Sequence, residues 1–366
     1  MHVPPPPDIP RLRLHAQGIA HPVLTRPDAI VTHLGAVQAQ DYHGALWSIG
    51  LRTANATRDE VERAIADRTI IRTWPMRGTL HFIPAVDARW MLELMTPRII
   101  RGVAGRHRRL ELDDAVFTRS RTLIGHALQR DPVLTRKALF DVLEQGGIAT
   151  AAQRGIHILQ RLSMECMLCH GPHSEKQPTF VLFDDWVQFP RRMDRDEALG
   201  TMAARYFTSH GPATMRDFVG WTGLATADAK RGLQVAEPLL ERVLRDAGDM
   251  WMARGAADTP SAGPRAHLLP GFDEYMLGYK DRSAALAPRF ADRIVPGANG
   301  MFLSTLVLGG QVRGTWRRTA RARSVEIEAA PFSRLSASDR LALTIPLERY
   351  AHFLGMPATL TTGRRA

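Results

Sequence analysis

The sequence predicts an α+β protein made of three tandem winged-helix (helix-turn-helix) domains followed by a C-terminal β-barrel-like domain. Three observations lead to this prediction. Groups of helical segments are each followed by strand-like segments, a short motif recurs at the same point of two groups, and the pattern changes to β after residue 265. The chain of 366 residues is long enough for several domains, and 45% of its residues are apolar, which is typical of folded globular proteins.

The first group of elements lies in residues 9–110, after a proline-rich stretch, residues 1–8, that we predict to be disordered. The predicted elements are helices at 10–17, 27–34, 42–51, 57–67 and 86–102 and strands at 70–74 and 79–83. Pro27 is placed to begin its helix, and Thr57 and Glu60 have the spacing of a capping box. Three helices followed by a hairpin are the order of a winged helix, in which the third helix enters a DNA groove and the hairpin forms the wing.

Two further groups, residues 111–192 and 193–256, repeat this plan. The predicted elements are helices at 115–130, 135–145, 150–164, 197–210, 214–221 and 226–244 and strands at 166–170, 179–183 and 250–254. The motif Gly-x-Ala-Thr-Ala begins at Gly147 and again at Gly223, each time before the third helix of its group. Recurrence of one supersecondary unit indicates a tandem array.

Residues 255–264 are predicted to be a linker, and residues 265–358 a β-domain with a terminal helix. The predicted elements are strands at 266–269, 275–279, 301–308, 311–317 and 324–328 and a helix at 337–354. Gly309-Gly310 has the composition of a two-residue hairpin turn. We expect an internal ion pair among Asp273, Asp281 and Arg282 to brace this domain.

The net charge of +11, with an isoelectric point near 10.5, indicates a polyanionic partner, either nucleic acid or an anionic membrane surface. Lysine occupies only four of the 48 basic positions, and the planar fork of arginine suits phosphate. GC-rich codons would give the same arginine excess without selection for binding. Because we find no secretory signal and no apolar run of about 18 residues, we expect no membrane span and a cytoplasmic, nucleoid-associated protein.

The two cysteines, Cys166 and Cys169, form with His170 the C-x-x-C-H pattern of haem attachment. Haem attachment belongs to exported proteins, and a single C-x-x-C lacks the second ligand pair of a structural zinc site. We therefore interpret the cysteines as two small buried side chains and expect neither a metal nor another cofactor.

The stretch with most chemical interest is VQAQDYHGALWSIGLRT, residues 37–53, and its first five residues are called the glutamine turn below. If the turn is extended, Gln38 and Gln40 point to the same side, because side chains two apart share a face. If it is helical, Gln40 points away and Asp41 shares a face with Gln38 instead. A solvated polar turn without chemistry is the third interpretation.

Other candidate DNA contacts lie beside the amides, in the first wing and on the Gly309-Gly310 hairpin. They are Tyr42, His43, Arg72, Trp74, Arg77, His81, Arg313, Arg317 and Arg318. Arginine is suited to phosphate oxygens, and the aromatic groups are suited to the lesion. The alternative for the first wing is a solvated loop, since wings are exposed connections.

Four stretches, in matching order, resemble the winged-helix DNA glycosylases of the AlkZ and YcaQ type. They are AVQAQDYHGALWSIGLR, TWPMRGTLHFI, LLPGFDEYMLGYKDR and VLGGQVRGTW. The resemblance extends over residues 13–354 and implies three winged helices and a β-domain around a DNA channel. It implies a monofunctional glycosylase that removes alkylated purines, including cross-linked ones, from double-stranded DNA. We expect it to act as a monomer without a protein partner, and the family's Q-x-Q or Q-x-D motif falls on Gln38 and Gln40.

Two amides suit this reaction only on an activated substrate. A neutral glutamine accepts no proton at pH 7, but it can accept a hydrogen bond from water and donate another, which positions the nucleophile. An N3- or N7-alkylated purine is already cationic and leaves as a neutral molecule without an acid. Asp41 is the competing catalytic candidate, as a base or cation stabiliser. The alternative function is a winged-helix transcription regulator without catalytic activity, in which the amide pair has no role.

Overall fold

The structure, a computed structural model, describes residues 8–174, 177–244, 248–258 and 263–363. Most of the stretch predicted to be disordered, and part of the predicted linker, lie outside these residues. The chain forms two compact units. Unit 1 comprises the described residues of Met1–Val61, Leu199–Trp221 and Ala225–Ala366, and unit 2 comprises those of Glu62–Ala198 and Thr222–Leu224. Among the described residues, no helix has the length and apolar content that a membrane span requires.

The N-terminal elements form largely where the local signals predict them. They are α1 (Ile9–Ala16), α2 (Pro27–Leu34), β1 (Val37–Gln38), α3 (Tyr42–Gly50) and α4 (Arg58–Ala66). Pro27 begins α2, and Gly35 ends it with a φ of +80°, in the left-handed region that favours glycine. The capping box is confirmed, because the Thr57 N–H donates to Glu60 Oε2 at 2.6 Å and the Glu60 N–H donates to Thr57 Oγ1 at 3.3 Å.

Unit 2 is a helix-and-sheet layer with an apolar core. Its elements are β2 (Ile70–Met76), β3 (Thr79–Pro84), α5 (Ala88–Arg109), α6 (Asp114–Arg130), β4 (Leu134–Thr135), α7 (Arg136–Gln145), α8 (Arg154–Met164), β5 (Leu168–His170), β6 (Thr179–Leu182) and α9 (Phe183–Trp186). Its five strands lie in the order β3-β2-β5-β6-β4, all antiparallel. The two predicted hairpins are joined edge to edge, since Arg72 in β2 pairs with His170 in β5.

The structure contradicts the alternative interpretation of the first wing as a solvated loop. All seven residues of β2 are buried, because the strand lies inside the sheet and packs against α5 and α8. Pro75 has no N–H for the ladder, and the pairing with β3 shifts register between Thr73 and Met76.

The third group contains α10 (Arg195–His210), β7 (Ala213–Thr214), α11 (Met215–Thr222), α12 (Thr226–Ala236), β8 (Leu240–Val243) and β9 (Met250–Ala253). The predicted helix 226–244 is wrong in its second half, because Pro238 cannot continue a helix and the chain turns into β8. The strands lie in the order β7-β9-β8. The repeated motif has a backbone counterpart, since Gly147 and Gly223 have nearly equal φ values of +76° and +75°.

The C-terminal part carries a curled five-stranded sheet, in the order β10-β11-β12-β13-β14. Its elements are β10 (Ala266–Leu269), α13 (Glu274–Leu277), α14 (Ala291–Ile294), β11 (Thr305–Leu308), β12 (Gln311–Ala320), β13 (Val325–Pro331), α15 (Ala337–Ala342), α16 (Thr344–Leu354) and β14 (Ala358–Thr362). The Gly309-Gly310 turn is confirmed, with positive φ at both glycines. The predicted terminal helix is divided at Leu343, and β14, parallel to β13, was not predicted.

The predicted strand 275–279 is wrong, since the structure has helix α13 there. The Asp273 carboxylate accepts the Tyr275 N–H at 2.9 Å and so caps the helix. Aromatic residues in this segment suggested a strand, but the cap determines the local structure.

Candidate active site

The glutamine turn connects β1 to α3 in unit 1. Its first part is extended at Val37–Gln38, and the chain then bends at Gln40. Gln38 is only 7% exposed, whereas Gln40 is exposed. Asp41 is the N-cap of α3, with an extended backbone (φ −89°, ψ 103°). The helical alternative, in which Asp41 shares a face with Gln38, is therefore wrong, and Gln38 is not a solvated side chain.

The backbone of the turn is fixed by a buried carboxylate. The Gln38 N–H donates to Glu274 Oε1 at 3.1 Å, and the indole N–H of Trp221 donates to Glu274 Oε2 at 2.8 Å. His210 Nε2 lies 3.5 Å from the same Oε2, and both side chains have no solvent exposure. Glu274 stands at the start of α13, so the third group of elements and the C-terminal part both contribute to the position of Gln38.

A buried ion pair lies beside α3. Both Nη atoms of Arg52 donate to the Asp273 carboxylate, at 2.8 and 2.9 Å, and Ser48 Oγ donates to it at 2.8 Å. The expected ion pair among Asp273, Asp281 and Arg282 is therefore wrong. Arg282 Nε instead donates to the Met276 carbonyl oxygen at 2.7 Å. The Asp281 carboxylate accepts the Ser283 N–H at 2.8 Å, and such hydrogen bonds lower the pKa of Asp281.

The ion pair continues into a chain of neutral groups. Arg52 Nη2 donates to Gln17 Oε1 at 2.7 Å, and Gln17 Nε2 donates to the Tyr279 hydroxyl at 3.0 Å. That hydroxyl donates to the His210 carbonyl oxygen at 2.8 Å, and the Arg13 guanidinium covers the ring at 3.6 Å. Burial raises the pKa of Tyr279, so this hydroxyl remains a neutral hydrogen-bonding group.

A small cleft of about 40 Å³ opens next to the glutamine turn. Its lining residues come from α3, the loops before β11 and α13, β12 and α16: they are Asp41, His43, Gly44, Trp47, Pro270, Ser304, Trp316, Arg318 and Tyr350. Arg318 Nη1 donates to the Tyr350 hydroxyl at 2.8 Å. Burial raises the pKa of the Tyr350 hydroxyl. The positive charge of Arg318 lowers this pKa, and the negative charge of Asp41 raises it further. The structure thus brings Asp41, His43 and Arg318 together, and the Tyr42 ring contacts the His43 ring edge-on at 5.5 Å.

The other hairpin arginines lie on the opposite face of β12. Arg313 and Arg317 are exposed, and Arg317 donates to Glu328 Oε2 through Nε at 2.8 Å and Nη2 at 2.6 Å. Because side chains alternate along a strand, Arg317 and Arg318 point to opposite faces. The structure therefore does not place the three arginines in one group.

The first-wing candidates lie in unit 2, and three of the four are buried. Trp74 belongs to the apolar core and stacks on Phe180 with ring centroids 6.4 Å apart. This position gives Trp74 a packing role, and we no longer propose it as a DNA contact. Arg72 and His81 are buried as well. Arg77, at the hairpin tip with a φ of +54°, is half-buried, and its Nη2 lies 3.2 Å from His81 Nε2.

A model of the AlkZ-like DNA glycosylases matches residues 31–353, which is most of the chain. The chain belongs to the AlkZ-like DNA glycosylase family. An interstrand DNA cross-link repair glycosylase of Streptomyces sahachiroi is 30% identical over an alignment of 373 positions, gaps included, which covers 88% of this chain and 94% of that protein. The solved structure of the Streptomyces sahachiroi DNA glycosylase AlkZ has the same fold, with a TM-score of 0.79 at 24% identity over 97% of this chain and 98% of that chain.

The two thiols of this AlkZ-like protein lie in unit 2. Cys169 is fully buried and Cys166 partly buried, and both are free. Burial raises the pKa of both thiols, that of Cys166 to about 12, so neither is a thiolate at neutral pH. In the part of the chain that the structure describes, no group of three or more His, Cys, Asp or Glu side chains is arranged to hold a metal ion.

Sequence reasoning missed the buried polar residues behind the glutamine turn and beside α3, namely Glu274, Trp221, His210 and Arg52. A signal existed for one of them. Glu274 follows Asp273 within GFDEYML, and a second acid between apolar residues is expected to be buried only if it has hydrogen-bond donors. Nothing in the sequence names those donors.

Proposed function

We propose that this AlkZ-like protein is a monofunctional DNA glycosylase. It hydrolyses the N-glycosidic bond of N3- or N7-alkylated purines in double-stranded DNA and unhooks interstrand cross-links. Family membership supports the glycosylase class over a transcription regulator, and the name of the Streptomyces sahachiroi relative supports cross-links as substrates. The net charge of +11 suits a DNA partner. We further propose that it acts as a monomer, without cofactor, on chromosomal DNA in the cytoplasm.

The domain organisation belongs to the same proposal. Residues 9–110, 111–192 and 193–256 are proposed to be winged helices, and residues 265–358 a β-domain. The recurring order of helices and strands supports this, as do the matching glycine conformations at Gly147 and Gly223. The two joined hairpins of unit 2 then act as a scaffold for DNA-binding surfaces rather than as separate wings.

The observation that carries the proposal is the geometry of the glutamine turn. Gln38 is nearly enclosed and its backbone is fixed by Glu274, whereas Gln40 is exposed two residues later. An amide carbonyl accepts one hydrogen bond from a water molecule, and an NH₂ group donates another to it. Held in this way, the water approaches the sugar carbon as the bond to the cationic purine breaks.

The steps balance without an acid or a metal. The electron pair of the glycosidic bond goes to the purine, which loses its positive charge and leaves as a neutral base. The sugar becomes oxocarbenium-like and gains the water oxygen at C1′. The added water then loses one proton to solvent. An undamaged purine lacks the cationic charge, so the weak assistance of two amides leaves it intact.

Asp41 has a secondary place in this proposal. It caps α3 and lines the cleft that contains Arg318, so it does not share a face with Gln38. We propose that Asp41 stabilises the developing positive charge and that Tyr42, His43 and Arg318 contact the lesion or its neighbouring phosphate. Arg313, Arg317 and Arg77, with Arg72 and His81 behind it, remain proposed contacts to DNA.

The test is single-turnover release of N7-methylguanine from duplex DNA by Gln38→Ala, Gln40→Ala and Asp41→Asn variants. Each glutamine variant is expected to lose about 100-fold in rate, the usual effect of misplacing a reactant, with little change in DNA affinity. Gln188→Ala, which removes an exposed glutamine of unit 2, is the matched control. Wild-type rates in both Gln38→Ala and Gln40→Ala show that the site is wrong.

The pH profile separates the amides from Asp41. An amide pair has no group that titrates between about pH 5 and 8, so the rate should be nearly flat there. A rising acid limb that disappears in Asp41→Asn assigns the base to Asp41 instead.

A further inference from the structure

Glu274 is a carboxyl side chain without solvent exposure that contacts the backbone of the glutamine turn. Burial of a carboxylate is costly unless hydrogen-bond donors surround it. Here the donors are the Gln38 N–H at Oε1 and the Trp221 indole N–H at Oε2. One of the groups that stabilise this charge is thus the backbone of the glutamine turn itself.

The ring of His210 completes this environment and is held on all sides. Ser209 Oγ donates to the Arg205 carbonyl oxygen at 2.7 Å, so its oxygen accepts from His210 Nδ1 at 2.8 Å. This network assigns a proton to Nδ1, and among the described residues Nε2 has no hydrogen-bond partner and lies 3.5 Å from Glu274 Oε2. The Tyr206 ring stacks on the imidazole at 4.8 Å, with a 14° angle between the planes. The carboxylate therefore has a fixed neighbour on each oxygen.

The neighbouring acid shows what a purely structural carboxylate does here. Asp273 binds Arg52 and Ser48 and caps α13, so all these contacts serve the fold. Glu274, one residue later, instead contacts the turn that carries the candidate amides. The peptide orientation at Gln38 determines the direction of its side chain, and an error of about 1 Å at a reacting group costs about 100-fold in rate.

We propose that Glu274 is a positioning residue: its carboxylate, held by the Trp221 indole N–H, fixes the Gln38 backbone and thereby the amide that binds the attacking water. This inference rests on the proposed role of Gln38. It assigns to an acid of α13, which touches neither water nor substrate, a direct effect on the rate of base release.

The test uses Glu274→Gln, which keeps the size of the side chain but has one acceptor end for two donors. Either the Gln38 N–H or the Trp221 N–H then faces an NH₂ group. We expect the single-turnover rate of N7-methylguanine release to fall about 10- to 100-fold, while duplex affinity stays within about twofold. Thermal unfolding gives the folded fraction at the assay temperature, and rates are expressed per folded molecule.

A second substitution distinguishes a positioning role of Glu274 from a general loss of core structure. Trp221→Phe removes the competing donor, so the single acceptor oxygen of the Glu274→Gln variant can turn to the Gln38 N–H. The double variant should therefore release base at least about threefold faster than Glu274→Gln alone, an effect within the range for residues in contact. A purely structural role predicts no such recovery, because Trp221→Phe then only removes a further buried hydrogen-bond donor from the same core.

The matched control is Asp87→Asn in unit 2. Asp87 is also a fully buried acid that accepts an indole N–H, from Trp90 at 2.9 Å, and it pairs with Arg191 at 3.5 Å within unit 2. This variant should lose stability without losing rate per folded molecule. An equal loss of rate in Asp87→Asn and Glu274→Gln overturns the proposal, and so does a double variant no faster than Glu274→Gln.

Two further outcomes are distinguished. If Glu274→Gln does not fold, the Trp221→Phe variant serves as the test. It removes one donor to the Glu274 carboxylate and should lower the single-turnover rate about threefold. An unchanged rate in Trp221→Phe then overturns the proposal. Gln38→Ala in the same series separates the two hypotheses. A fully active Gln38→Ala rejects the catalytic role of Gln38, whereas an inactive Gln38→Ala beside a fully active Glu274→Gln rejects only the role of Glu274.

Discussion

The two units contain two different kinds of interior region, an apolar cluster in unit 2 and a buried ionic cluster in unit 1. In unit 2, the core around Phe180 and Leu159 consists of aliphatic and aromatic side chains. In unit 1, Arg52, Asp273 and Glu274 lie at 0–1% exposure and are held by charge-assisted hydrogen bonds. Apolar contacts are non-directional, whereas hydrogen bonds fix particular atoms. The candidate catalytic turn lies in unit 1, the unit whose buried hydrogen bonds hold particular atoms in place.

This difference predicts how each interior responds to change. An apolar core loses stability in proportion to the volume removed. A buried ion pair loses far more when one partner is removed than the pair contributes, because the other charge remains without compensation. The ionic cluster of unit 1 should therefore be more sensitive to single substitutions than the apolar cluster of unit 2.

The largest effect is expected from Arg52→Met. The Asp273 carboxylate, 1% exposed, would keep only its neutral partners, and the loss should be about 3–5 kcal/mol of unfolding free energy. Urea unfolding measures it. Lys137→Met, which removes an exposed ion pair with Asp141, is the control and should change little. The double variant Arg52→Met/Asp273→Leu should regain most of the loss, and a double variant weaker than Arg52→Met contradicts the argument.

Elements that depend on neighbouring residues were predictable from the sequence, whereas the buried polar contacts between distant residues were not. Local signals identified the start of α2 at Pro27, the Thr57–Glu60 capping box and the Gly309-Gly310 turn, because each depends on residues within a few positions. The predicted helix 226–244 is longer than the observed helix α12, although Pro238 within that segment already indicates an earlier helix end.

The buried polar partners could not be predicted. Arg52 and Asp273 are 221 positions apart, and Gln38 and Glu274 are 236 positions apart. Apolar periodicity shows which face of a helix is buried, but it does not identify which donor meets which acceptor. The resemblance located Gln38 and Gln40, whereas the residues that hold them required the folded structure.

Acid should weaken the protein through a buried histidine in each unit. Burial lowers the pKa of His267 in unit 1 to about 4, and it also lowers that of His170 in unit 2. Above the unfolded pKa of about 6.5 both states are neutral, so stability is complete there. As the pH falls towards 4, only the unfolded chain takes up the proton, and His267 should account for a loss of about 3 kcal/mol.

Unfolding free energies at pH 7 and pH 4.5 test this expectation. The difference in unfolding free energy between pH 7 and pH 4.5 should be smaller in the His267→Gln variant. Glutamine keeps a polar group that can bind the Pro264 backbone. The loss that remains reports on other groups, His170 among them. If wild type and His267→Gln lose the same stability on acidification, burial of His267 does not govern the acid response.

A smaller effect is expected in the apolar core of unit 2. Ile158 is fully buried, and Ile158→Val removes one methylene, which should cost about 1 kcal/mol. Urea unfolding at pH 7 measures the loss, and Val133→Ala at an exposed apolar position is the control. A loss as large as that of Arg52→Met would remove the distinction between the two interiors.

The smallest effect on stability, but a specific one on binding, is expected from Arg317→Gln. Arg317 lies on the exposed face of β12 and pairs with Glu328, so its loss should leave the unfolding free energy nearly unchanged.

In DNA binding, each phosphate contact contributes about −0.9 to the slope of log K against log salt, and we expect a wild-type slope steeper than about −3. If Arg317 exchanges Glu328 for a phosphate, the slope should become shallower by about 1 in the variant. Arg265→Gln, which removes another exposed arginine, paired with Asp339, is the matched control. Equal slopes for Arg317→Gln and wild type would show that this arginine remains bound to Glu328 and that the DNA follows the Arg318 face of the strand.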